Sequence, residues 1–462
     1  LGPDAESVAL AWRFPGLASK DFEVLQVVSQ VLYNGKAGLI DLDLNQQQKV
    51  LNSYGYPMGL ADYSAFILGG LPKQGQTLEE VKDLLLNEIK KLRAGEFDEK
   101  MLQANINNFK LYELQSMESN EGRADIFVNS FINGTNWEDE VTAIDRMAKL
   151  TKEDIVAFAD KYLKEDNYAV VYKKQGKDPN EKKMTKPEIT PIVSNRDVAS
   201  PFLTSIQENA VKPIEPVFLD FKKDMSQLTA KSDIPVLYKQ NTTNDLFQLI
   251  YVFDMGNNND KALGTAFDYL EYLGTSDMTP EELKSEFYRL ACTFYVSPGN
   301  ERTYVVLSGL NENMPAAMQL FEKLLADAQV NKEAYNNLVG DILKARADAK
   351  LNQGQNFSRL MNYAMYGPKS PATNLLTEAE LASMNPQELV DRIHNQNNYK
   401  HRILYYGPSS SKDLLATIDQ YHQVPATLKD IPAGNEFSYL ETPATKVLVA
   451  PYEAKQIYMA QI

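Results

Sequence analysis

Three histidines and one cysteine are the only strong nitrogen and sulfur ligands that this 462-residue chain brings to metal binding or neutral-pH proton transfer. His394, His401 and His422 include no pair at the i, i+4 spacing that sets two imidazoles on one helical face. His394 and His401 are seven apart, but Asn395-Gln396-Asn397-Asn398 between them reads as a turn that separates them. All three are therefore expected to be structural or surface residues. Cys292, in Leu290-Ala291-Cys292-Thr293-Phe294, reads as a small buried apolar side chain. A single cysteine also excludes an internal disulfide.

Nucleotide chemistry finds no support. Gly35-Lys36-Ala37-Gly38 lacks the preceding glycine and following Ser/Thr that a phosphate cradle needs, so it reads as a helix end and turn. Glu79-Glu80 and Glu281-Glu282 fall in helix first turns, where the helix dipole accounts for them. The sequons at Asn133, Asn241 and Asn356 are expected by chance in a chain this long. With 62 acidic against 47 basic side chains the formal charge is −15, which disfavours a phosphate-binding surface. No apolar run approaches the roughly 18 residues of a membrane span. Asp4, Glu6 and Arg13 stand where a signal peptide would be apolar. No nucleic acid and no membrane span are expected as partners.

The elements that must position any site are legible as periodicities. Residues 8–14 read as a strand, 22–33 as a helix and 63–68 as a second strand. Thr77 with Glu80 forms a capping box for an amphipathic helix, and Gly95 stands at its left-handed end. Polar-amphipathic helices continue to about residue 130; Thr151 caps another, and 168–172 is a strand. The order then recurs: strand 249–253, helix 262–273, strand 303–308, a helix opening near Pro315, a helix led by Asn385-Pro386, and strand 402–406. Phe14 matches Phe253 and Gly70 matches Gly309 at one separation, 239 residues, while Leu150 matches Met384 at 234. A separation held across different element types marks a tandem duplication.

Residues 173–232 hold Pro179, Pro187, Pro191, Pro201, Pro213 and Pro216, with charged starts at Lys173-Lys174 and Glu181-Lys182-Lys183, and read as an extended connector. After residue 430 the strand pattern restarts, with Lys446–Pro451 and Gln456–Ala460 as strands. The fold class expected is α+β, a tandem repeat of two homologous domains. Each is a mostly antiparallel sheet with helices on one face. The divisions are 1–172, the connector 173–232, 233–430, and 431–462 as a linker with the first strands of a further domain.

The second repeat carries the family signal. A strand ending Phe253-Asp254-Met255-Gly256-Asn257 leads to Gly264-Thr265-Ala266-Phe267-Asp268-Tyr269-Leu270-Glu271-Tyr272-Leu273-Gly274-Thr275, then Glu282-Leu283, and a strand ending Leu307-Ser308-Gly309-Leu310-Asn311-Glu312-Asn313. This resembles the M16 (insulinase-like, or pitrilysin) zinc metallopeptidases in their long form, four homologous α+β domains closing as two halves around a chamber. In that family the first domain carries H-x-x-E-H, two zinc-binding histidines and a glutamate that activates water. The matching stretch here runs from Asp268 to Tyr272: both histidines are replaced, by Asp268 and Tyr272, and only Glu271 remains.

The resemblance implies that 1–172 is a second and 233–430 a third domain of the M16 type, that the connector is the hinge, and that the fourth domain begins after 430. It implies a zinc helix N-terminal to Leu1 and a substrate-binding Arg and Tyr beyond Ile462. It further implies an exosite for the substrate's N-terminus at Gly35, Gly38, Leu39, Tyr54 and Gly55, a glycine-containing turn and a nearby strand. The expected function is the non-catalytic central part, chamber wall, exosite and hinge, of a zinc metalloendopeptidase degrading peptides or small unfolded proteins. This part itself would lack catalytic and metal residues and need no cofactor, zinc belonging to the full-length enzyme. Partners would be a polypeptide substrate and the first and fourth domains, in a bacterial cell envelope or periplasm. The rivals are a non-enzymatic structural protein of the same fold, like respiratory-complex core subunits, and a peptide-binding scaffold.

Overall fold

The computed structural model describes residues 2, 4–177, 179, 185–192, 194, 196–454 and 456–462; the connector's charged run 181–183 lies outside them. Its first sheet is built from β1 (Ser7–Pro15), β2 (Asn52–Met58), β3 (Tyr63–Leu71) and β4 (Tyr168–Lys173), ordered β2-β3-β1-β4 and antiparallel throughout. Every second residue of β1, Val8, Leu10, Trp12 and Phe14, is buried, as a strand covered on one face requires. The cover is α1 (Lys20–Leu32), α2 (Leu78–Arg93) and, after α3 (Lys100–Ser116), α4 (Asn120–Asn133), α5 (Trp137–Val141) and α6 (Ala143–Met147), the helix α7 (Lys152–Tyr162). Local chemistry sets the boundaries. Thr77 and Glu80 close a capping box on α2, Thr151 and Asp154 close one on α7, and Gly95 ends α2 at φ +71°.

The second sheet holds β5 (Ser226–Ala230), β6 (Ile234–Gln240), β7 (Leu246–Phe253), β8 (Cys292–Pro298), β9 (Thr303–Leu310) and β10 (Arg402–Gly407), ordered β5-β6-β10-β7-β9-β8. Four of its strands, β8-β9-β7-β10 counted from one edge, repeat the first sheet's order, and the register repeats to the residue. Val8 faces Gly70 as Phe247 faces Gly309, and Ser53 faces Gly70 as Cys292 faces Gly309. The one parallel pair, β6 with β10, extends this sheet beyond the shared four strands. Between the sheets, the connector carries α8 (Pro201–Gln207) and delivers β5 in its last residues, so the ordered unit begins before residue 233.

Helices α9 (Leu263–Leu270), α10 (Pro280–Arg289), α11 (Met314–Asp327), α12 (Lys332–Ala349), α13 (Gln353–Tyr366), α14 (Glu378–Ser383), α15 (Pro386–Asn395) and α16 (Ser411–Tyr421) accompany the second sheet, with a core centred on Phe253, Ala266, Leu270, Met318, Phe321 and Ile403. Residues 446–451 and 456–460, expected as strands, form none among the described residues. A run of β-formers without a partner strand does not make a strand. The tail instead lies along α13: Leu440 N–H donates to the Met365 carbonyl (2.7 Å) and Tyr439 stacks on Tyr366. On α4, the element of the first unit in the corresponding place, Phe127, Phe131 and Ile132 remain exposed.

The two units meet through α3 and α10. Asn108 donates from Nδ2 to the Tyr288 carbonyl (2.9 Å), and the Tyr288 hydroxyl donates to Asn105 Oδ1 (2.8 Å). Leu111, Leu246 and Ala291 form a small apolar cluster beside them.

Candidate functional site

The turn after α1 is wound around one carboxylate. Asp41, at the start of a short π-helical turn (Asp41–Gln46), accepts at Oδ2 from the backbone N–H groups of Asn34 (2.9 Å), Gly35 (3.1 Å) and Gly38 (3.0 Å). Asn34 Oδ1 accepts from Lys36 and Ala37. Burial pushes the Asp41 carboxyl up to about 6, against the pull of those three donors and of Lys284. Gly35 adopts φ +77°, which explains a glycine there. Gly38 is glycine for a different reason. It is buried, and a Cβ would come within 2.7–2.8 Å of the Leu32 carbonyl and the Tyr33 Cα.

The helix that should hold the degenerate motif stops early. α9 ends at Leu270; Glu271 is its C-cap, and Tyr272 N–H turns back to the Tyr269 carbonyl (3.0 Å). Asp268 therefore lies in the last turn and Tyr272 beyond it. Burial, with the Glu271, Asp341 and Asp268 charges, raises the Tyr272 phenol to about 12, so it stays protonated near neutrality. Zinc needs deprotonated ligands fixed in a tetrahedral set, usually with imidazole or thiolate among them. One carboxylate in a final turn, a second at its cap and a neutral phenol do not supply that set.

Gln46 Nε2 donates to the Glu271 carbonyl (3.2 Å) and Gln48 Nε2 to the Ala334 carbonyl (3.2 Å), which brings the Asp41 turn against the end of α9 and the start of α12. Between them lies a cavity of about 220 Å³. Tyr33, Gly35, Lys36 and Asp41 line it from the first unit, with Asn52 at the start of β2. Glu271, Tyr272, Lys284 on α10 and Asp341 on α12 line it from the second. Burial lowers the Lys284 ammonium pKa, opposed chiefly by Glu271.

Of the residues singled out by sequence, Gly35, Glu271 and Tyr272 meet at this cavity. Gly38 lies behind it, Leu39 packs on the first unit's core, and a Cβ on Gly55 would run into the Leu68 side chain. Tyr54 stacks near Tyr56, its ring over Gly69. Asp41 and Lys284 were missed. Asp41 carried a faint signal as an acid within the apolar run Leu39–Leu44; Lys284, on an ordinary amphipathic helix, carried none.

A second polar cluster is fully enclosed. His401 Nδ1 faces the Tyr399 carbonyl (2.7 Å), His401 Nε2 lies 2.9 Å from His422 Nε2, and His422 Nδ1 lies 2.7 Å from Glu322 Oε1. Tyr251, Asn397 and the Gln423 N–H also donate to Glu322. A carbonyl only accepts, so His401 donates from Nδ1 and accepts at Nε2 from His422. The facing imidazole nitrogens are joined by a proton, closer than the about 3.3 Å that two ligands of one tetrahedral zinc would keep.

Comparison with known proteins gives a family description. Residues 2–109 match the model described as the Peptidase M16 inactive domain. The zinc protease PqqE of Helicobacter pylori (strain ATCC 700392 / 26695) is 27% identical over 178 residues, 37% of this chain and 39% of its own length. The periplasmic protease PqqL from Escherichia coli aligns at 14% identity and TM-score 0.42 over 94% of this chain and 51% of its own. A mutant of the ferredoxin protease FusC in complex with Arabidopsis ferredoxin aligns at 10% and 0.43, over 94% and 51%. The chain thus spans 39% of the length of the curated relative and about half of these solved chains.

Proposed function

Through residues 2–109 the chain belongs to the M16 peptidase family, in a form lacking the catalytic motif, and from that premise we propose that it is the chamber wall, exosite and hinge of a zinc metalloendopeptidase acting on peptides or small unfolded proteins. The observation that carries this reading is the cavity in which the Gly35 turn of one unit and the degenerate helix end of the other converge. A polypeptide held there is anchored while the rest of it reaches a distant active centre, which raises its effective concentration. Residues 1–172 and 233–430, the latter together with β5, act as successive domains of the fold in this proposal, and the part of 173–232 before β5 as the hinge. Zinc belongs to the full-length enzyme, as it does by name in the H. pylori relative. A setting in the bacterial cell envelope or periplasm completes the proposal, to be checked by cell fractionation; no described helix is long and apolar enough to cross a membrane.

Asn52 tests the anchoring role, because it is exposed, lies at the cavity and contributes no buried contact. Asn52→Trp should weaken binding of a labelled unstructured peptide at least fivefold with an unchanged melting temperature. Unchanged affinity in a folded variant overturns the assignment and favours the non-enzymatic structural role.

A further inference from the structure

The charged groups lining the cavity do not all find partners among themselves. Five charged side chains line it: Lys36, Asp41, Glu271, Lys284 and Asp341. Two of the three carboxylates are already occupied. Asp41 is held by three backbone N–H groups, and Asp341 pairs with Lys73 at 3.3 Å. Lys36, Lys284 and Glu271 make no ion pair within 4.0 Å and no side-chain hydrogen bond among the described residues. Two uncommitted ammonium groups therefore face one uncommitted carboxylate. Lys284 is partly withdrawn from water, where an unpartnered charge is unfavourable.

We propose that this cavity takes a carboxylate of a bound peptide between the ammonium groups of Lys36 and Lys284. The proposal rests on the peptide-anchoring reading above and puts a carboxylate where the resemblance implies the substrate's N-terminal amine, because Lys36 and Lys284 line the same cavity as Gly35. Lys36 and Lys284 are the charged lining groups whose N–H donors are unused among the described residues, and one carboxylate can accept from both. A dianion would add a second negative charge beside Asp41 and Glu271, and a cation would join two lysines with only solvent-facing Glu271 as counter-charge. The volume, about 220 Å³, is below the several hundred of a pocket that swallows a whole ligand, so it suits the end or one side chain of a longer chain.

Two sources share this chemistry, a C-terminal carboxylate and an Asp or Glu side chain. Three dansyl-labelled octapeptides of Ala, Leu and Ser separate them: one with a free C-terminus, its C-terminal amide, and the amide carrying one internal Glu. Fluorescence titration of the 462-residue chain should show the free acid, or the Glu-bearing amide, binding five- to tenfold more tightly than the plain amide; which of the two gains identifies the source. Lys284→Met should erase that preference, Lys284→Arg should keep it, and Lys36→Met should reduce it, each with melting as a control. Equal binding of all three peptides overturns the carboxylate assignment and leaves the anchoring role standing. A preference that survives both methionine variants does the same. Absence of binding by every peptide overturns the anchoring role and this assignment together.

Discussion

Gln46 Nε2 reaches the backbone carbonyl of Glu271 at 3.2 Å, a hydrogen bond between residues 225 apart that sets the turn of one sheet unit against the helix end of the other. The cavity exists because of such cross-unit contacts, and their strength decides whether the two units behave as one body. The buried Tyr288–Asn105 pair is the clearest test.

Tyr288→Phe removes the hydroxyl that donates to Asn105 Oδ1, while Asn105 Nδ2 is already without a partner. A buried amide left with both ends unpaired should cost about 1–3 kcal/mol. Urea unfolding of the variant should show that loss. A change below about 0.5 kcal/mol would mean that the interface opens to water.

The His401–His422 pair makes stability depend on acid. Burial, then the His422 charge, depress the His401 pKa to about 4, against 6.5 for the free side chain. A depressed folded pKa means that the unfolded chain takes up the proton first. This contribution is complete above pH 6.5 and is lost as pH falls from there towards 4. At about 1.4 kcal/mol per unit the loss approaches about 3 kcal/mol. Denaturant curves at pH 7.0, 5.5 and 4.5 should show it, and His401→Gln should flatten the slope over that range. An equal slope in the variant would assign the acid sensitivity elsewhere.

Two glycines of one turn should respond differently. Gly35→Ala meets open space and pays only for its left-handed backbone, about 1 kcal/mol. Gly38→Ala drives a Cβ into the backbone of Leu32 and Tyr33 and should cost about 3 kcal/mol. Thermal melts of the two variants give the comparison; equal costs would contradict the packing described for Gly38.

These cases mark where sequence was readable. Capping boxes at Thr77 and Thr151, the glycine at 95 and the alternation of β1 are local, and each was legible from a few neighbouring residues. The 239-residue separation was legible because duplicated strands kept their register, Gly70 and Gly309 occupying the same place in both ladders. What failed was non-local. His401 and His422 are 21 apart on different elements, and no short-range spacing announces that they meet. Residues 446–451 hold a β-forming apolar run, Val447-Leu448-Val449, yet pairing depends on a partner strand that such a run does not reveal. The Gly35 turn and the Asp268–Tyr272 stretch are each legible, but their meeting at one cavity depends on packing between units.

Exposed Phe131, on the uncovered face of α4, is 88% accessible. Phe131→Ser should leave stability within about 0.5 kcal/mol, since nothing is packed against it, while lowering binding of the apolar dye ANS. A large destabilisation would show that the side chain is covered in solution.

The central claim, that a polypeptide is held where the two units meet, is tested most directly by photocrosslinking. An unstructured peptide carrying benzophenone at one end, irradiated with the chain and mapped by mass spectrometry, should attach within residues 33–52 and 271–284, and excess unlabelled peptide should abolish the attachment. Competable crosslinks confined to other surfaces, or none at saturating peptide, would contradict the account.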